Sequence, residues 1–398
     1  MTADATPDTA TPARDGETAV ATVEALLRPD LRGGSPYGAP QLDVPVALNT
    51  NENSYPVPPE VVATITERVT TIAPDLNRYP DREFVELRAA LARYLSRTGT
   101  TITSDMVWAA NGSNEVLQHL LQAFGGPQRV AIGFTPAYSM HPIITRATGT
   151  TWVDGQRGVD AAGHANPSGP GTQFDLSVES AVAQVTACDP NVVFLCSPNN
   201  PTGTALSLDV VAAVYDAAPN AVIIVDEAYA EFARSGTQDA LTLLEGRPRL
   251  VVTRTMSKAF AMAGGRLGYL AADPALTDAL RLVRLPYHLS MQTQAVALAC
   301  LDHTELMLST VDAIREQRDR IVTDLAGLGL TPVPSDANFV FFGGLADAPA
   351  TWQALLDRGV LVRDVGIPNH LRVTAGTPAE TTAFLEAMAS LTPEHLER

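Results

Sequence analysis

Short runs of apolar, often β-branched residues alternate with segments of helical periodicity along most of the 398-residue chain. The runs are MVWAANG, RVAIGF, TTWVDG, NVVFLCSP, AVIIVDEAY, LVVTRTMS and RLGYLAA. Between most of them lie segments such as SNEVLQHLLQAF and DVVAAVYDAA, whose apolar residues recur with the spacing of a helix. This alternation is typical of an α/β fold, and we predict a mostly parallel mixed sheet covered by helices on both faces.

The pattern changes near residue 291, where a long helical stretch is followed by the runs NFVFFGG, GVLVRDV and HLRVTAG. We therefore predict a large domain at 71–290 and a smaller α+β domain at 291–398, joined by the segment 31–70. Residues 1–30 are small, polar and acidic, which predicts a disordered N-terminal tail. The Gly- and Pro-rich insert at 163–173 predicts a surface loop.

The charge and cysteine content exclude several classes of partner. A formal net charge of -17 is unfavourable for binding nucleic acid or a membrane surface, both of which attract basic proteins. The three cysteines show no CxxC spacing, so neither a disulfide framework nor a metal site is predicted. No signal peptide and no run long enough to cross a membrane is evident, so we expect a cytoplasmic protein.

Lys258 is the only lysine in the chain, and the other basic side chains are arginines. An arginine stays protonated, whereas a lysine amine can lose its proton in a buried or cationic environment and then attack a carbonyl group. The alternative is that a compositional drift towards arginine left one lysine behind. The neighbouring residues decide between these interpretations.

Polar residues follow several of the predicted strands, at the edge of an open sheet where ligands bind. The loops are NGSNE after VWAA, SPNNPTG after VVFLC, DEAY after VIIV, and MSK after VVTRT. Each has an ordinary structural explanation alone: Asp226 as a helix cap, Tyr229 as a core phenol, Arg266 as a surface ion pair. Together with Lys258 they match one cofactor, because pyridoxal phosphate needs an amine, a carboxylate, donors to its ring oxygen and a phosphate site.

NPTG, DEAY and SKAFAMAGGRLGY resemble the fold type I, aspartate-aminotransferase-like pyridoxal-phosphate enzymes. NTNENSYP, NRYPD, AANGSNE, SPNNPTG and RTMSKAFAMAGGRLGY are similar, within that group, to the histidinol-phosphate aminotransferases. The resemblance extends from about Leu31 to the C-terminal helix, and it implies pyridoxal 5'-phosphate as the cofactor.

The resemblance also implies a role for each matching residue. Lys258 bonds covalently to the cofactor and carries the proton, Asp226 faces the ring nitrogen, and Tyr229 acts with Asn200 on the ring oxygen. The full set of cofactor-binding residues that it implies is Gly112, Ser113, Asn114, Tyr138, Asn200, Asp226, Tyr229, Thr255, Ser257, Lys258, Arg266 and Tyr79 of the partner subunit. A residue shared between subunits implies a homodimer.

For the substrates, the resemblance implies amino transfer between L-glutamate and imidazole-acetol phosphate, giving 2-oxoglutarate and L-histidinol phosphate in histidine biosynthesis. Arg372 matches the carboxylate-binding arginine, Arg363 matches a second arginine at the anionic end of the substrate, and Tyr37 matches a tyrosine that closes over the ligand. The alternative for both arginines is a structural salt bridge.

Other functions remain open at this stage. Ser54 stands where the family pattern leads us to expect proline, although this position is not in the cofactor set. An aminotransferase for phenylalanine or tyrosine would share the same cofactor motifs, and a decarboxylase of a phosphorylated amino acid is a further alternative. A ligand-sensing regulator would need a basic DNA-binding segment, which we do not find in this sequence.

Overall fold

The computed structural model describes residues 16–33, 38–166 and 172–391, which fall into two compact units, Met1–Gly38 and Ala39–Arg398. In the first unit, helix α1 spans Gly16–Leu26 and a 3-10 turn spans Pro29–Leu31. This helix lies within the stretch 1–30 that is predicted to be a disordered tail, of which residues 1–15 lie outside the described part of the chain. The sequence GETAVATVEAL has no proline or internal glycine, and the Arg32 guanidinium donates to the Ala25 and Leu27 carbonyl oxygens at the helix end.

The second unit contains strands in three sheets, confirming the predicted α/β class. The strands of the described residues are β1 (Val46–Ala47), β2 (Val107–Ala110), β3 (Val130–Thr135), β4 (Thr151–Gln156), β5 (Val192–Cys196), β6 (Val222–Asp226), β7 (Leu250–Thr255), β8 (Gly268–Ala272), β9 (Thr331–Pro332), β10 (Phe339–Gly343), β11 (Val360–Leu361) and β12 (Leu371–Thr374). The main sheet has seven strands in the order β2-β8-β7-β6-β5-β3-β4, and only β8 runs antiparallel to its neighbours.

Helices connect and cover these strands. Those of the second unit are α2 (Pro59–Ile72), α3 (Val85–Leu95), α4 (Ser113–Phe124), α5 (Met140–Ala147), α6 (Val178–Cys188), α7 (Leu208–Ala217), α8 (Pro274–Leu280), α9 (Met291–Asp302), α10 (Thr304–Leu308), α11 (Val311–Gly327), α12 (Ala348–Leu356) and α13 (Pro378–Ala389). Strands β5, β6 and β7 are buried along their whole length, which explains why their sequences are continuous apolar runs. The predicted loop at 163–173 is exposed over 163–165, and residues 167–171 lie outside the described part of the chain.

A second core underlies the C-terminal part of the chain. It surrounds the three-stranded antiparallel sheet β12-β10-β9, and the short β1 pairs in parallel with β11. Helix α9 contributes Ala297, Leu298 and Cys300 to the core of the main sheet, and that core extends to Met307. The second core includes Val311 of α11, so the predicted division at 290/291 falls earlier along the chain than the change of core. Among the described residues, none of the helices is both long and apolar enough to cross a membrane.

Candidate active site

The carboxyl ends of β5, β6 and β7 place three of the predicted motifs side by side. Cys196, at the end of β5, pairs with Asp226, at the end of β6, and Asp226 in turn pairs with Thr253 of β7. The chain leaves β5 into SPNNPTG and leaves β7 into the segment that carries Lys258. The parallel order of these strands therefore brings together residues that are far apart in sequence, as expected for a ligand site in an open α/β sheet.

Asp226 is buried and both of its carboxylate oxygens are hydrogen bonded. Its Oδ2 lies 2.9 Å from Nε2 of His141, and its Oδ1 accepts from the Thr253 hydroxyl at 3.2 Å. Because an ionised carboxylate can only accept, Nε2 of His141 must carry the hydrogen. Nδ1 of His141 is buried and has no hydrogen-bond partner among the described residues. His141 and Thr253 together fix the orientation of the Asp226 carboxylate.

His141 is a residue next to Asp226 that the sequence analysis did not assign to the site. It lies on α5, its ring stacks on Phe194 of β5 at 4.6 Å, and it contacts the predicted Tyr138 ring edge to face at 5.4 Å. The Tyr138 hydroxyl donates to Oδ1 of Asn114 at 3.3 Å. The only sequence signal is its position three residues after Tyr138 in TPAYSMHP, which places both residues near the start of one helix.

The Tyr229 phenol receives two amide donors. Nδ2 of Asn51 donates to it at 3.0 Å and Nδ2 of the predicted Asn200 at 3.4 Å. Burial raises the pKa of Tyr229 to about 12, so the phenol keeps its proton and can donate it to a ligand. Asn51 is a second residue that the sequence analysis did not assign, although it lies in the motif NTNENSYP. Its Oδ1 accepts from the Thr374 hydroxyl, which orients the amide.

Lys258 is half-buried, and its Nζ donates to the carbonyl oxygen of Thr50 at 3.0 Å. Burial lowers its pKa from 10.5 to about 8, and the nearby Arg372 and Arg266 cations act in the same direction. The Glu52 carboxylate opposes them. At pH 7 roughly one such amine in ten is therefore neutral, which an arginine at this position could not be.

A cradle for an anion forms where α4 begins. Gly112 precedes α4 with a positive φ of 86° and provides no side-chain cap, so the first amides of the helix remain open to a ligand. A Cβ at Gly112 would lie 2.5 Å from Nη2 of Arg266, and one at Gly268 would lie 2.0 Å from the Ser113 amide nitrogen. Glycine at both positions therefore lets the Arg266 guanidinium and the helix N-terminus converge.

Two predicted hydroxyls follow β7 on the same edge of the sheet. Thr255 Oγ1 donates to Ser257 Oγ at 3.0 Å and accepts from the Ser257 amide at 3.1 Å. Thr255 also pairs with Gly268 in the sheet, next to Ala110 at the end of β2. The hydroxyls, the guanidinium and the α4 amides form a set of donors suited to a phosphate group.

The two predicted substrate arginines are neighbours, Arg372 on β12 and Arg363 just after β11. Their main chains form an antiparallel bridge, in which the Arg363 amide donates to the Arg372 carbonyl oxygen at 2.9 Å and the Arg372 amide donates back. The buried Arg372 side chain donates from Nη1 to Oδ1 of Asn200 and from Nη2 to the Asn49 carbonyl oxygen, both at 2.7 Å. These contacts tie the small sheet to the loop after β5.

Within the described residues, no hydrogen bond links Tyr79 to the other predicted site residues. It is 77% exposed, and its ring stacks on Tyr287 at 4.5 Å. Leu282 and Leu285 of the adjoining segment are also exposed, at 88% and 76%. Tyr37 lies outside the described residues, so its predicted role stays a prediction.

Three comparisons with known proteins agree with this geometry. Residues 44–388 match the family model described as aminotransferase class I and II. The chain is 62% identical over 367 residues to the histidinol-phosphate aminotransferase of Paenarthrobacter aurescens (strain TC1), covering 92% of this chain and 94% of that protein. It is 54% identical over 373 residues to that of Mycolicibacterium smegmatis (strain ATCC 700084 / mc(2)155), with coverage of 93% and 94%.

The fold also matches a solved structure. The histidinol-phosphate aminotransferase of Sinorhizobium meliloti, crystallised in complex with pyridoxal-5'-phosphate, aligns with a TM-score of 0.74 and 24% identity over 88% of this chain and 92% of that one. At this identity the comparison bears on the fold. The resemblance stated from the motifs is confirmed by the high identity of the full-length relatives. The chain belongs to the aminotransferase class I and II family and, within it, to the histidinol-phosphate aminotransferases.

Proposed function

We propose that the protein transfers an amino group between L-glutamate and imidazole-acetol phosphate, giving L-histidinol phosphate and 2-oxoglutarate, with pyridoxal 5'-phosphate as cofactor. The observation that carries the proposal is the position of the single lysine. Lys258 has a pKa of about 8 and lies on the same sheet edge as the Asp226–His141 pair and the phosphate cradle. Relatives that carry this activity are up to 62% identical over nearly the whole chain.

The donor set fits the cofactor. The cradle formed by Arg266, the α4 amides and the hydroxyls after β7 would hold the phosphate, and Asp226 would hold the protonated ring nitrogen. The Tyr229 phenol would donate to the ring oxygen, supported by its two amide donors. When bound, the cofactor supplies an aldehyde that reacts with amines and a cationic ring that accepts electrons.

Lys258 carries out the proton transfer in this proposal. Its neutral Nζ would accept the proton from the α-carbon of the amino donor and pass it to the bound cofactor, and in the second half-reaction the same amine would deliver a proton to the α-carbon of the amino acid that forms. The Thr50 carbonyl oxygen accepts a hydrogen bond from Nζ and so positions the amine. The pKa of about 8 allows both protonation states near neutral pH.

Arg372 and Arg363 are the proposed contacts for the substrate anions. The planar guanidinium group binds carboxylate and phosphate groups with similar geometry, so one site can accept glutamate and histidinol phosphate in turn. The hydrogen bond from Arg372 to Asn200 supports this role, because Asn200 also contacts Tyr229. To test the function, transamination is measured with histidinol phosphate, phenylalanine and aspartate, each with 2-oxoglutarate. Faster turnover with phenylalanine than with histidinol phosphate would favour the aromatic aminotransferase alternative.

A homodimer and a cytoplasmic location are part of the proposal. Support for the dimer comes from the exposed apolar group of Tyr79, Leu282 and Leu285, since an exposed apolar patch marks an interaction site. Support for the location comes from the three cysteines, all of which are unpaired.

Subunit mixing tests whether each active site takes Tyr79 from the partner subunit. Lys258→Ala and Tyr79→Ala variants are each defective, but their mixed dimer would contain one site with both residues intact. We expect about half of wild-type activity, because one of two symmetric sites is whole. Differently tagged chains verify the exchange. Activity of isolated mixed dimers no higher than the mean of the two parents would show that Tyr79 serves its own chain.

A further inference from the structure

A cavity of about 480 Å³ lies beyond the end of β4 and is lined by the N-cap residues of α6 and α7. Its lining includes Arg157, Asp175, Ser177, Thr204 and Ser207. None of the residues in the proposed cofactor and substrate site lines it. The proposed aminotransferase reaction therefore gives this cavity no role.

Arg157 is buried in this cavity with one terminal nitrogen unused. Only 6% of the residue is exposed. Its Nε donates to the Phe134 carbonyl oxygen at 3.1 Å and Nη2 to that of Cys196 at 3.2 Å, which joins the ends of β3 and β5. Nη1 has no hydrogen-bond partner in the described part of the chain. Burial lowers the pKa of Arg157 to about 10, a value at which the group is still a cation near neutral pH.

The N-cap residue of α7, Ser207, lines the same cavity. Ser207 occupies the N-cap position, yet its hydroxyl makes no capping hydrogen bond. The first amides of a helix lack intrahelical acceptors and carry partial positive charge, so they attract anions. Helix α6 differs, because its N-cap Ser177 accepts from the Ser180 amide at 3.1 Å. Of the two N-cap serines, Ser207 is the one whose hydroxyl makes no capping hydrogen bond, although Asp209 places a carboxylate in the first turn of α7.

We propose that this cavity is a second anion site, which binds a small oxyanion such as a phosphate group between Nη1 of Arg157 and the first amides of α7. Two independent groups then obtain the partner that they otherwise lack. A buried guanidinium nitrogen and an uncapped helix end are both costly to leave unsatisfied, and one anion satisfies both.

Asp175 determines which oxyanions fit. Its carboxylate lines the cavity and interacts electrostatically with Arg157, while burial raises its pKa. A second negative group beside this carboxylate is unfavourable unless the ligand carries a hydrogen that Asp175 can accept. Hydrogen phosphate carries one and sulfate does not, so the site should prefer phosphate.

Equilibrium dialysis of the holoenzyme with radiolabelled inorganic phosphate tests the site. The variant Ser207→Asp places a carboxylate at the N-cap, where aspartate stabilises the helix, so α7 stays folded while the anion is displaced. We expect one equivalent of phosphate per chain to be lost. The control Ser207→Gly leaves the amides open and adds no charge, so it should bind as the wild type does.

Arg157→Gln should weaken phosphate binding by at least about tenfold, because it removes a charge-assisted hydrogen bond. Arg363→Ala is the control for phosphate held at the proposed substrate site, and it should keep the equivalent that Ser207→Asp loses. Unchanged phosphate binding in Ser207→Asp would overturn the proposal, even if Arg157→Gln fails to fold. Equal affinity of the wild type for phosphate and sulfate would overturn the role given to Asp175.

Discussion

Asp226 and Glu227 are consecutive and both buried, at 2% and 4% exposure, yet their partners differ in kind. Asp226 receives hydrogen bonds from an imidazole and a hydroxyl. Glu227 receives them from the Arg254 guanidinium and from the Ala240 amide. Consecutive residues of a strand point to opposite faces of the sheet, so the end of β6 places one carboxylate on each side.

The same alternation continues on β7. Thr253 contacts Asp226, whereas Arg254 contacts Glu227 and also Asp239. On the first face the partners that hold Asp226 include no arginine, which leaves its charge for a cationic ligand. On the second face the Arg254 cation lies among the carboxyl groups of Glu227, Glu231 and Asp239. The charge of the partners can therefore give two adjacent buried acids different roles: Asp226 is free to bind a ligand, whereas Glu227 stabilises the fold.

The largest effect on activity is expected on the face of the sheet that carries Asp226. Lys258→Arg should lower turnover by more than about 10⁴-fold, because the variant loses both the proton-transferring amine and the covalent bond to the cofactor. Its melting temperature should stay close to that of the wild type, since within the described residues Nζ makes one hydrogen bond, to Thr50. Steady-state kinetics and thermal unfolding measure the two quantities.

Borohydride reduction of the wild-type holoenzyme provides the control for this variant. It should fix the cofactor to one peptide, the peptide that contains Lys258. Labelling of any other peptide, or turnover of Lys258→Arg near the wild-type rate, would contradict the assignment of the amine.

The second prediction concerns the opposite face. Arg254→Met should lower the free energy of unfolding by about 3–5 kcal/mol, because it leaves buried carboxylates without their cation. Glu227, Asp239 and Glu231 all lie within 4.0 Å of the guanidinium nitrogens in the wild type. Denaturant unfolding checks the loss.

A matched control is Arg249→Met, since the Arg249 side chain donates to three carbonyl oxygens and to no described carboxylate. It should cost less than Arg254→Met. If the folded Arg254→Met variant instead kept its stability and lost turnover, the division of the two faces into structural and functional would be wrong.

Arg372 and Arg363 differ from Arg254, because the proposed function gives them substrate anions as partners instead of buried carboxyl groups of the protein. Arg372→Ala should raise KM for both substrates, and Arg363→Ala should affect histidinol phosphate more than glutamate. Loss of a charge-assisted contact costs about 1.5–3 kcal/mol, which is roughly a 10- to 150-fold change in kcat/KM. Small and equal effects on both substrates would favour structural salt bridges instead.

The sequence predicted the fold class, because that depends on local signals, whereas the roles of the site residues came from the family resemblance and stay predictions. Apolar runs mark the buried strands, and the polar residues after them lie where parallel strands end. The predicted domain division at 290/291 precedes the point at which the chain passes from the first core to the second, because α9 packs with the main sheet. Helical periodicity does not reveal which core a helix joins.

The missed residues depend on contacts between distant parts of the chain. His141 and Asp226 are 85 residues apart in sequence, and Asn51 and Tyr229 are 178 apart. Nothing in the spacing of one histidine or one asparagine indicates such a partner. The Arg254 cluster was missed for the same reason, although Glu227 and Arg254 lie in the segments DEAY and VVTRT.

The smallest expected effect tests the charge state of Glu227. Burial raises its pKa from 4.5 to about 8, with Asp239 acting in the same direction and Arg254 opposing both. A carboxyl group with a raised pKa stabilises the folded state at low pH, fully below about 4.5, and this contribution is lost as the pH rises through about 8. Between pH 6.5 and 7.5 the folded protein therefore holds a proton that the unfolded chain releases.

One such proton corresponds to a fall of about 1.4 kcal/mol in the free energy of unfolding for each pH unit. Glu227→Gln cannot release this proton, and its amide still provides an oxygen that can accept from Arg254 or the Ala240 amide. The stability of the variant should thus fall by about 1 kcal/mol less than that of the wild type between pH 6.5 and 7.5. Glu231, whose pKa burial also raises, is present in both proteins, so its contribution largely cancels in the difference. Urea unfolding at the two pH values measures it. An equal change in the free energy of unfolding for both proteins would mean that Glu227 is already ionised at pH 6.5. The attraction of Arg254 would then outweigh the effect of burial on this carboxyl group.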